Sequence, residues 1–276
     1  VNYTFNRKLY YDTNRKKGNA LEKIMIDISI KNLSKDFLLP DPKNKEQYKN
    51  LNVMKDFNLN IKNNEVVALI GPSGIGKSTL LNILSGNDIN YKGEININRS
   101  IENKKLSFIF QSHNLLPWLT AYENIKLVCN TESLEKDSAS QILNEVGLED
   151  FINSYPNNLS GGMKRRVSIA RAFVNKPNIL LMDEPFVSLE KPLANQLRKQ
   201  TISLINKNKV TAILVTHDLK EAIMFADRII FCNNSPMKIY LEKEIKLNND
   251  PIYDNDEING IYQEIIGNDS SILKAK

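Results

Sequence analysis

One stretch of nine residues, Gly71–Thr79, constrains this chain more than any other. It reads Gly-Pro-Ser-Gly-Ile-Gly-Lys-Ser-Thr and follows the largely apolar run Glu65–Ile70. The helical pattern Thr79–Ser85 comes directly after it. A strand, a glycine-rich loop and a helix in this order bring backbone amides and a lysine to the positive end of a helix, which is a site for anions. The sequence therefore predicts a phosphate-binding loop in an α/β fold.

In the pattern G-x-x-x-x-G-K-[ST], the glycines, the lysine and the hydroxyl residue have separate roles. Gly71, Gly74 and Gly76 allow backbone conformations closed to other residues and a close approach to a ligand. Lys77 supplies a positive charge for the β- and γ-phosphates, and the Ser78 hydroxyl is a ligand for Mg²⁺. The presence of both the strand and the helix disfavours a glycine-rich turn without a ligand, so we predict binding of a nucleoside triphosphate. The residues of the predicted loop are Gly71, Pro72, Ser73, Gly74, Ile75, Gly76, Lys77, Ser78 and Thr79.

The composition places few limits on the function. Of 276 residues, 41% are hydrophobic and 25% are charged, as in an ordinary soluble domain. No apolar run approaches the roughly 18–20 residues of a membrane span, and Val1–Lys23 carries charges without an apolar core, so no secretory signal is expected. Cys129 and Cys232 match no metal-site spacing, which predicts a cytosolic, reduced chain. The net charge of +5 is compatible with phosphate ligands, an anionic membrane surface or neither.

Three segments are predicted along the chain. Residues 1–24 form a basic N-terminal arm, which is either a frayed or partly docked tail or a surface arm that touches anionic lipid or a partner. Residues 25–245 form the nucleotide-binding domain, with a helical subdomain near residues 112–175. Residues 246–276 form a polar C-terminal tail in which a short helix is expected near Ile258–Ile266.

Apolar patterns predict the strands of the domain. The alternating segments Ile26–Lys31 and Val53–Ile61 indicate two antiparallel, half-buried strands. Between them, the proline-bearing segment Leu39–Glu46 is predicted to be a loop. The continuous runs Asn178–Met182 and Val210–Val215 indicate buried parallel strands. The predicted fold class is therefore α/β, with a parallel-sheet core, a small antiparallel β-layer and a helical subdomain.

Four polar residues follow separate apolar strands, where open α/β sheets carry their ligands. Asp183 is expected to hold Mg²⁺ directly or through water, and Glu184 to polarise the attacking water as a general base. His217 is placed to reach the γ-phosphate, and Gln111 to contact the metal or the water. Each residue alone could be structural, but four at the ends of separate strands favour one shared site.

From Ile26 to Leu241, the order and spacing of these motifs resemble the ATP-binding subunits of ABC transporters. The matching motifs are the glycine-rich loop (Walker A), Gln111 (Q-loop), Leu180–Glu184 (Walker B) and His217 (switch histidine). A Leu-Ser-Gly-Gly signature between Walker A and Walker B is the most specific of these signals. Its residues are Leu159, Ser160, Gly161, Gly162 and Met163. The resemblance implies a P-loop NTPase fold with a RecA-like core and an ATPase that uses ATP and Mg²⁺.

The same resemblance implies the partners. In the family, two cassettes, either a homodimer or a pair of related chains, hold ATP between the Walker A loop of one subunit and the signature of the other. Transmembrane permease subunits are separate chains, a solute-binding protein acts indirectly, and nucleic acid is not expected. The implied location is peripheral, at the cytoplasmic face of the cell membrane. Phe37 lies where the family places an aromatic ring against adenine, although an ordinary core position is the alternative.

Two segments and one residue narrow the resemblance to the nitrate, sulfonate, taurine and thiamine-precursor importer group. They are Phe110–Thr120, Met163 and Asp183–Phe186. In that group the segment after the Q-loop faces the permease. Trp118 and Leu119 are therefore expected to contact the permease's coupling helix, unless they pack locally.

Two positions depart from the family pattern. Val187–Glu190 stands where the D-loop usually reads Ser-Ala-Leu-Asp, which leaves the contact of Glu190 across the dimer in doubt. Arg165 replaces a glutamine that is common after the signature. Neither change removes a phosphate or metal ligand.

Three functions compete at this point. The first is the ATPase of an importer of small anionic solutes, and the second is an ABC ATPase of a lipid-trafficking or cell-division complex. The third is a soluble ABC ATPase of DNA repair or the ribosome. Repair members carry a long coiled coil and ribosomal members carry two cassettes, and this sequence shows neither feature. The Leu-Pro-Trp segment at residues 116–118 favours an importer, which is the preferred interpretation, with the lipid-trafficking or cell-division ATPase as the alternative.

Overall fold

The computed structural model describes residues 26–41, 44–97, 105–129, 138–233, 235–247, 252–253 and 255–268. The predicted arm at residues 1–24 lies outside this range. The strands are β1 (Ile26–Asp41), β2 (Asn44–Lys62), β3 (Val66–Ile70), β4 (Lys92–Ile97), β5 (Leu106–Ile109), β6 (Ile179–Asp183), β7 (Thr211–Val215), β8 (Arg228–Asn233) and β9 (Lys238–Glu244). The helices are α1 (Lys77–Leu84), α2 (Ala121–Lys126), α3 (Ser138–Glu145), α4 (Gly161–Phe173), α5 (Lys191–Asn208), α6 (Leu219–Phe225) and α7 (Asp256–Asn268).

Two sheets form the framework. A six-stranded sheet has the order β5-β6-β7-β3-β8-β9, and all its neighbouring strands are parallel except the β8–β9 pair. A three-stranded antiparallel sheet has the order β2-β1-β4. The predicted parallel core and antiparallel β-layer are confirmed. In this order β3, which leads into the glycine-rich loop, lies between β7 and β8.

The six-stranded sheet separates two hydrophobic cores. Because side chains alternate along a strand, Val66, Ala68 and Ile70 of β3 face one core, whereas Val67 and Leu69 face the other. The first core contains apolar residues of helices α2 to α7. The second contains residues of α1 and of the antiparallel sheet. Every residue of β3 and β7 is buried, as the continuous apolar runs predicted.

The predicted loop at Leu39–Glu46 is wrong over most of its length. Strand β1 continues to Asp41 and β2 begins at Asn44, so the two strands form one long hairpin. Cross-strand pairs Leu38↔Asn50, Leu39↔Lys49 and Pro40↔Tyr48 extend the ladder through this segment. A proline that lacks an N–H is tolerated at an edge or in an irregular ladder, so its presence did not end the strand. The register shifts between Pro40 and Asp41.

Helix starts agree with the capping residues in the sequence. A capping box starts α2, since the Thr120 side chain accepts from the Glu123 amide and the Glu123 side chain accepts from the Thr120 amide. Ser160 caps α4 by accepting a 3.2 Å hydrogen bond from the Met163 amide. Helix α1 begins at Lys77, two residues before the helical pattern in the sequence.

The predicted C-terminal tail contains helix α7, which packs against α6. Ile258 and Ile265 are 0% and 4% exposed, and they belong to the same core as the buried residues of α6. The expected helix near Ile258–Ile266 is confirmed. The boundaries assigned to the three segments and to the helical subdomain remain predictions.

Among the described helices, none combines the length and the apolar composition that a bilayer crossing requires. Cys129 and Cys232 are both free thiols.

Candidate nucleotide site

The glycine-rich loop takes the conformation that its glycines permit. Gly74 and Gly76 have φ angles of 79° and 116°, which are unfavourable for residues with a Cβ atom. A Cβ at Gly76 would also lie 2.5 Å from Cγ1 of Val53. Gly76 is the N-cap of α1, and it has no side chain with which to cap the first-turn amides. These amides are therefore available to an anion at the helix N-terminus.

Lys77 turns back over this loop. Its Nζ donates hydrogen bonds of 2.7 Å to the carbonyl oxygens of Gly71 and of Pro72. The residue is only 6% exposed, and this burial lowers its pKa while the nearby carboxylates of Glu184 and Asp183 oppose the shift. The ammonium group is thus held inside the loop, where the sequence placed the phosphates.

Ser78 and Asp183 meet at the point where a metal is expected. The Ser78 side chain hydrogen-bonds to the carboxylate of Asp183, which ends β6. Burial raises the pKa of Asp183, and the Ser78 hydrogen bond and the Lys77 charge partly oppose that effect. A hydroxyl oxygen and a carboxylate oxygen are hard ligands of the kind that Mg²⁺ prefers, with phosphate oxygens and waters completing its shell. The donor set therefore fits Mg²⁺.

Glu184 and His217 form the second pair of the site. Oε2 of Glu184 lies 3.4 Å from Nδ1 of His217, although the two residues are on different strand ends. Glu184 has a φ of 42°, and its N–H donates a 2.9 Å hydrogen bond to the carbonyl of Val215 in β7. A non-glycine residue in this region of conformational space is strained, and such strain is concentrated at functional sites. The Glu184 side chain is 21% exposed, so its carboxylate can reach a water molecule.

The remaining predicted residues lie on different parts of the surface. Gln111 is exposed and follows β5, which is two strands from β7 in the sheet. Phe37 is 36% exposed and lies under the ammonium of Lys35, whose Nζ is 4.7 Å from the ring centroid. Phe37 is therefore no ordinary core residue, and its contact with adenine remains a prediction. Trp118 is 68% exposed, so it is not packed locally.

The signature forms the start of α4. Leu159 is 5% exposed, whereas Ser160 and Gly161 are exposed and present the helix N-terminus to solvent. Gly162 is buried, and a Cβ there would lie 2.3 Å from Cδ2 of Leu193 in α5. Helix α4 packs against α2, α3, α5 and β5, whereas α1 packs against β6. The two helix N-termini that the sequence assigned to ATP are thus set on separate parts of one chain.

Sequence reasoning missed a network beside His217. Asp218 caps α6 by accepting from the amides of Lys220 and Glu221, and it accepts a 2.6 Å hydrogen bond from Tyr253. Arg198 of α5 donates a 2.8 Å hydrogen bond to Glu221. These contacts fix the backbone immediately after the switch histidine. Asp218 was recognisable in sequence as a helix cap, but its contact with Tyr253 depends on tertiary packing.

Comparisons with known proteins identify the family of this chain. The family described as ABC transporter matches residues 54–187. The aliphatic sulfonates import ATP-binding protein SsuB of Bacillus cereus is 39% identical over 224 residues, which are 80% of this chain and 86% of that protein. The bicarbonate transport ATP-binding protein CmpC of Synechocystis sp. is 39% identical over 196 residues, which are 66% of this chain but 29% of that protein.

A solved structure extends the similarity to the fold. The ATP-binding cassette MJ0796, described as a dimeric post-hydrolysis state bound to ADP and Pi, matches with a TM-score of 0.67 and 32% identity. The match covers 80% of this chain and 99% of that one. The fold, the order of the motifs and the identity to full-length relatives together establish that this chain belongs to the ABC transporter family, as an ATP-binding cassette.

Proposed function

We propose that this cassette hydrolyses ATP to drive an importer of small anionic solutes through a separate permease. The observation that carries the proposal is the pairing of Glu184 with His217, 3.4 Å apart, at the strand ends beside the Ser78–Asp183 pair. This arrangement places a carboxylate base, a polar switch residue and a metal site at one edge of the sheet. Such an edge is suited to phosphoryl transfer to water.

In the proposed reaction the chain contributes positioning and charge. The amides of the glycine-rich loop and Nζ of Lys77 bind the phosphates, and Ser78 and Asp183 hold Mg²⁺. When bound, Mg²⁺ neutralises part of the negative charge on the phosphates. Glu184 accepts a proton from the water that attacks the γ-phosphorus as the bond to the β-phosphate oxygen breaks. His217, whose Nδ1 lies 3.4 Å from Oε2 of Glu184, would hold the Glu184 carboxylate in place.

The separation of the two helix N-termini favours catalysis in a dimer. Because α4 and α1 lie on different parts of the chain, Ser160 would reach the γ-phosphate bound to a partner cassette. ATP would then bind the closed dimer more tightly than the open form and shift the population towards closure. Loss of the γ-phosphate after hydrolysis would remove this preference, and the closed dimer would open. The dimeric cassette structures with which the chain shares its fold support this reading.

A bulky cation at the signature tests the dimer. We expect Ser160→Arg to leave ATP binding to the monomer unchanged, since the glycine-rich loop is untouched, and to prevent the ATP-dependent dimer. Size-exclusion chromatography with ATP, in a Glu184→Gln background that retains the nucleotide, measures this directly. Asn144→Arg, at an exposed position of α3, is the matched control and should dimerise normally. An ATP-dependent dimer in the Ser160→Arg protein would contradict the arrangement.

The solute class rests on the relatives. Both named relatives carry transport names that refer to small anions, aliphatic sulfonates in one case and bicarbonate in the other. These names favour an importer over the lipid-trafficking or cell-division alternative. We propose that a permease docks against the segment around Trp118, whose 68% exposure suits a side chain that is covered by a partner. A solute-binding protein would select the anion, and the cassette would lie at the cytoplasmic face of the membrane.

Co-purification tests this assignment. The tagged chain is solubilised from its own membranes, and the proteins that accompany it are identified by mass spectrometry. We expect a multi-span permease, with its recovery reduced by Trp118→Asp and unaffected by Asn144→Asp at an exposed site of α3. Recovery with ribosomal or DNA-bound partners, and without a permease, would overturn the transport assignment and leave the ATPase assignment intact.

A further inference from the structure

Arg165 lies on the signature helix and bonds to the Q-loop. Its guanidinium donates a 2.7 Å hydrogen bond from Nη1 to the carbonyl of Phe110, and Nη2 donates to the carbonyl of Gln111. The residue is 1% exposed and is among the largest fully buried side chains in the described chain. Burial lowers the pKa of Arg165 to about 10, so the group remains charged near neutral pH. The planar guanidinium group can donate to two successive carbonyl oxygens at once. The shorter side-chain amide of a glutamine is less suited to this.

The same helix holds the Q-loop at a second point. Arg171 donates from Nη1 to the carbonyl of Asn114 at 2.7 Å and from Nη2 to the carbonyl of His113 at 3.0 Å. Four carbonyls of residues 110–114 therefore accept hydrogen bonds from arginines of α4. Such a closely bonded unit moves as one body.

Arg165 and the adjacent Arg166 have different hydrogen-bond partners. Arg166 bonds the carbonyls of Val146 and Gly147 and the side chain of Gln196, all away from the Q-loop. Arg165 contacts the backbone of Gln111 itself. Nε of Arg165 has no hydrogen-bond partner among the described residues, so the bonds to the two carbonyls are the polar contacts that hold this buried cation.

We infer that Arg165 is a positioning residue that ties the signature helix to the backbone of Gln111, so that movement of the signature towards a partner's ATP also moves Gln111. The inference rests on the proposed dimer mechanism. The guanidinium of Arg165 bonds to backbone carbonyls of the Q-loop. It acts through Gln111, and it links two ATP-sensing segments that lie 50 residues or more apart in the sequence. A glutamine, which is common at this position in the family, would provide a neutral and shorter link.

Steady-state kinetics separate this role from general stability. We expect Arg165→Met to lower kcat by roughly 10- to 100-fold, because a small displacement of a catalytic group has effects of this size. KM for ATP and the ATP affinity of the monomer should stay unchanged, since the glycine-rich loop is intact. Arg165→Gln should restore part of kcat, because its amide can still donate to a carbonyl. Arg166→Met is the control, and its kcat should match that of the wild type.

Trp118 provides a direct readout of the Q-loop segment. It is the single tryptophan of the chain, it is 68% exposed, and it lies seven residues after Gln111. In a Glu184→Gln background, ATP should change the quenching of Trp118 fluorescence by acrylamide. The change should persist in the Arg166→Met protein and be lost in Arg165→Met, while chromatography still detects an ATP-dependent dimer in both.

Failure of the inference and failure of the proposed function give different experimental results. Dimerisation with a normal Trp118 response and wild-type kcat in both Arg165 variants would overturn the inference and leave the proposed function standing. If the Glu184→Gln parent fails to dimerise with ATP, the proposed mechanism falls and the inference falls with it. If Arg165→Met does not fold, as judged by thermal unfolding, Arg165→Gln carries the test, and a Trp118 response and kcat equal to those of the parent would overturn the inference.

Discussion

Replacing Glu184 by glutamine is expected to reduce ATP turnover by about 10²- to 10⁴-fold, which is the contribution of a well-placed general base. The amide is nearly the same size as the carboxylate, so the strained backbone at Glu184 and its hydrogen bond to Val215 should be retained. ATP binding should persist because Lys77 and Ser78 are unchanged. Turnover is measured by phosphate release, and ATP affinity by equilibrium binding of a fluorescent nucleotide.

A control for this substitution is available on the surface of the same chain. Glu149→Gln makes the same chemical change at an exposed position in a 3₁₀ turn (Glu149–Phe151). It should leave turnover unchanged. Wild-type turnover in the Glu184→Gln protein would rule out Glu184 as the base. It would also show that the 3.4 Å contact between Glu184 and His217 has no role in the hydrolysis step.

The second large effect is expected at Lys77, where alanine should weaken ATP binding by roughly 10- to 150-fold. A hydrogen bond to a charged group contributes about 1.5–3 kcal/mol, and each 1.4 kcal/mol is a tenfold change in affinity. Nζ lies within the loop, bonded to the carbonyl oxygens of Gly71 and Pro72. The charge is therefore preorganised, so little ordering is required when the phosphates bind. Calorimetric titration with a non-hydrolysable ATP analogue gives the affinity.

Two further variants separate the charge from the packing at this position. Lys77→Met keeps a long unbranched stem and removes the ammonium, so it should lose about as much affinity as alanine. Lys92→Ala removes a lysine from an exposed position of β4 and should bind ATP normally. Near-normal ATP affinity in the Lys77→Met protein would show that the stem, and not the charge, supports the nucleotide.

The central sheet and the edge that carries the candidate nucleotide site were predictable because strong local signals agreed with the global fold. Continuous apolar runs marked β6 and β7, and the polar residues after them were expected to meet because parallel strands end at a common edge. The structure does bring Glu184 and His217 together. In the same way, Ser160 and Thr120 were recognisable as helix caps from their spacing alone.

Other features could not be read from local patterns. Prolines and polar residues predicted a loop after Leu38, but cross-strand pairing carried the β1–β2 ladder through the segment. Arg165 stands between Lys164 and Arg166, and nothing in the local sequence distinguishes it from these two neighbours. Its burial depends on two Q-loop carbonyls that lie more than 50 residues away in sequence. Long-range partners of this kind leave no periodic signal in the sequence.

The position of each strand within the six-stranded sheet has a consequence for local unfolding. Strand β3 is flanked by β7 and β8, and Val67, Ala68 and Leu69 are fully buried, so its amide hydrogens can exchange with solvent only when most of the domain opens. Strand β5 lies at the edge and consists of four residues, three of them partly exposed. Its opening breaks the pairing with β6 and the packing against α4, but it leaves the strands on the far side of β6 paired. The amide hydrogens of β5 should thus exchange through a smaller opening than those of β3, the strand that leads into the phosphate loop.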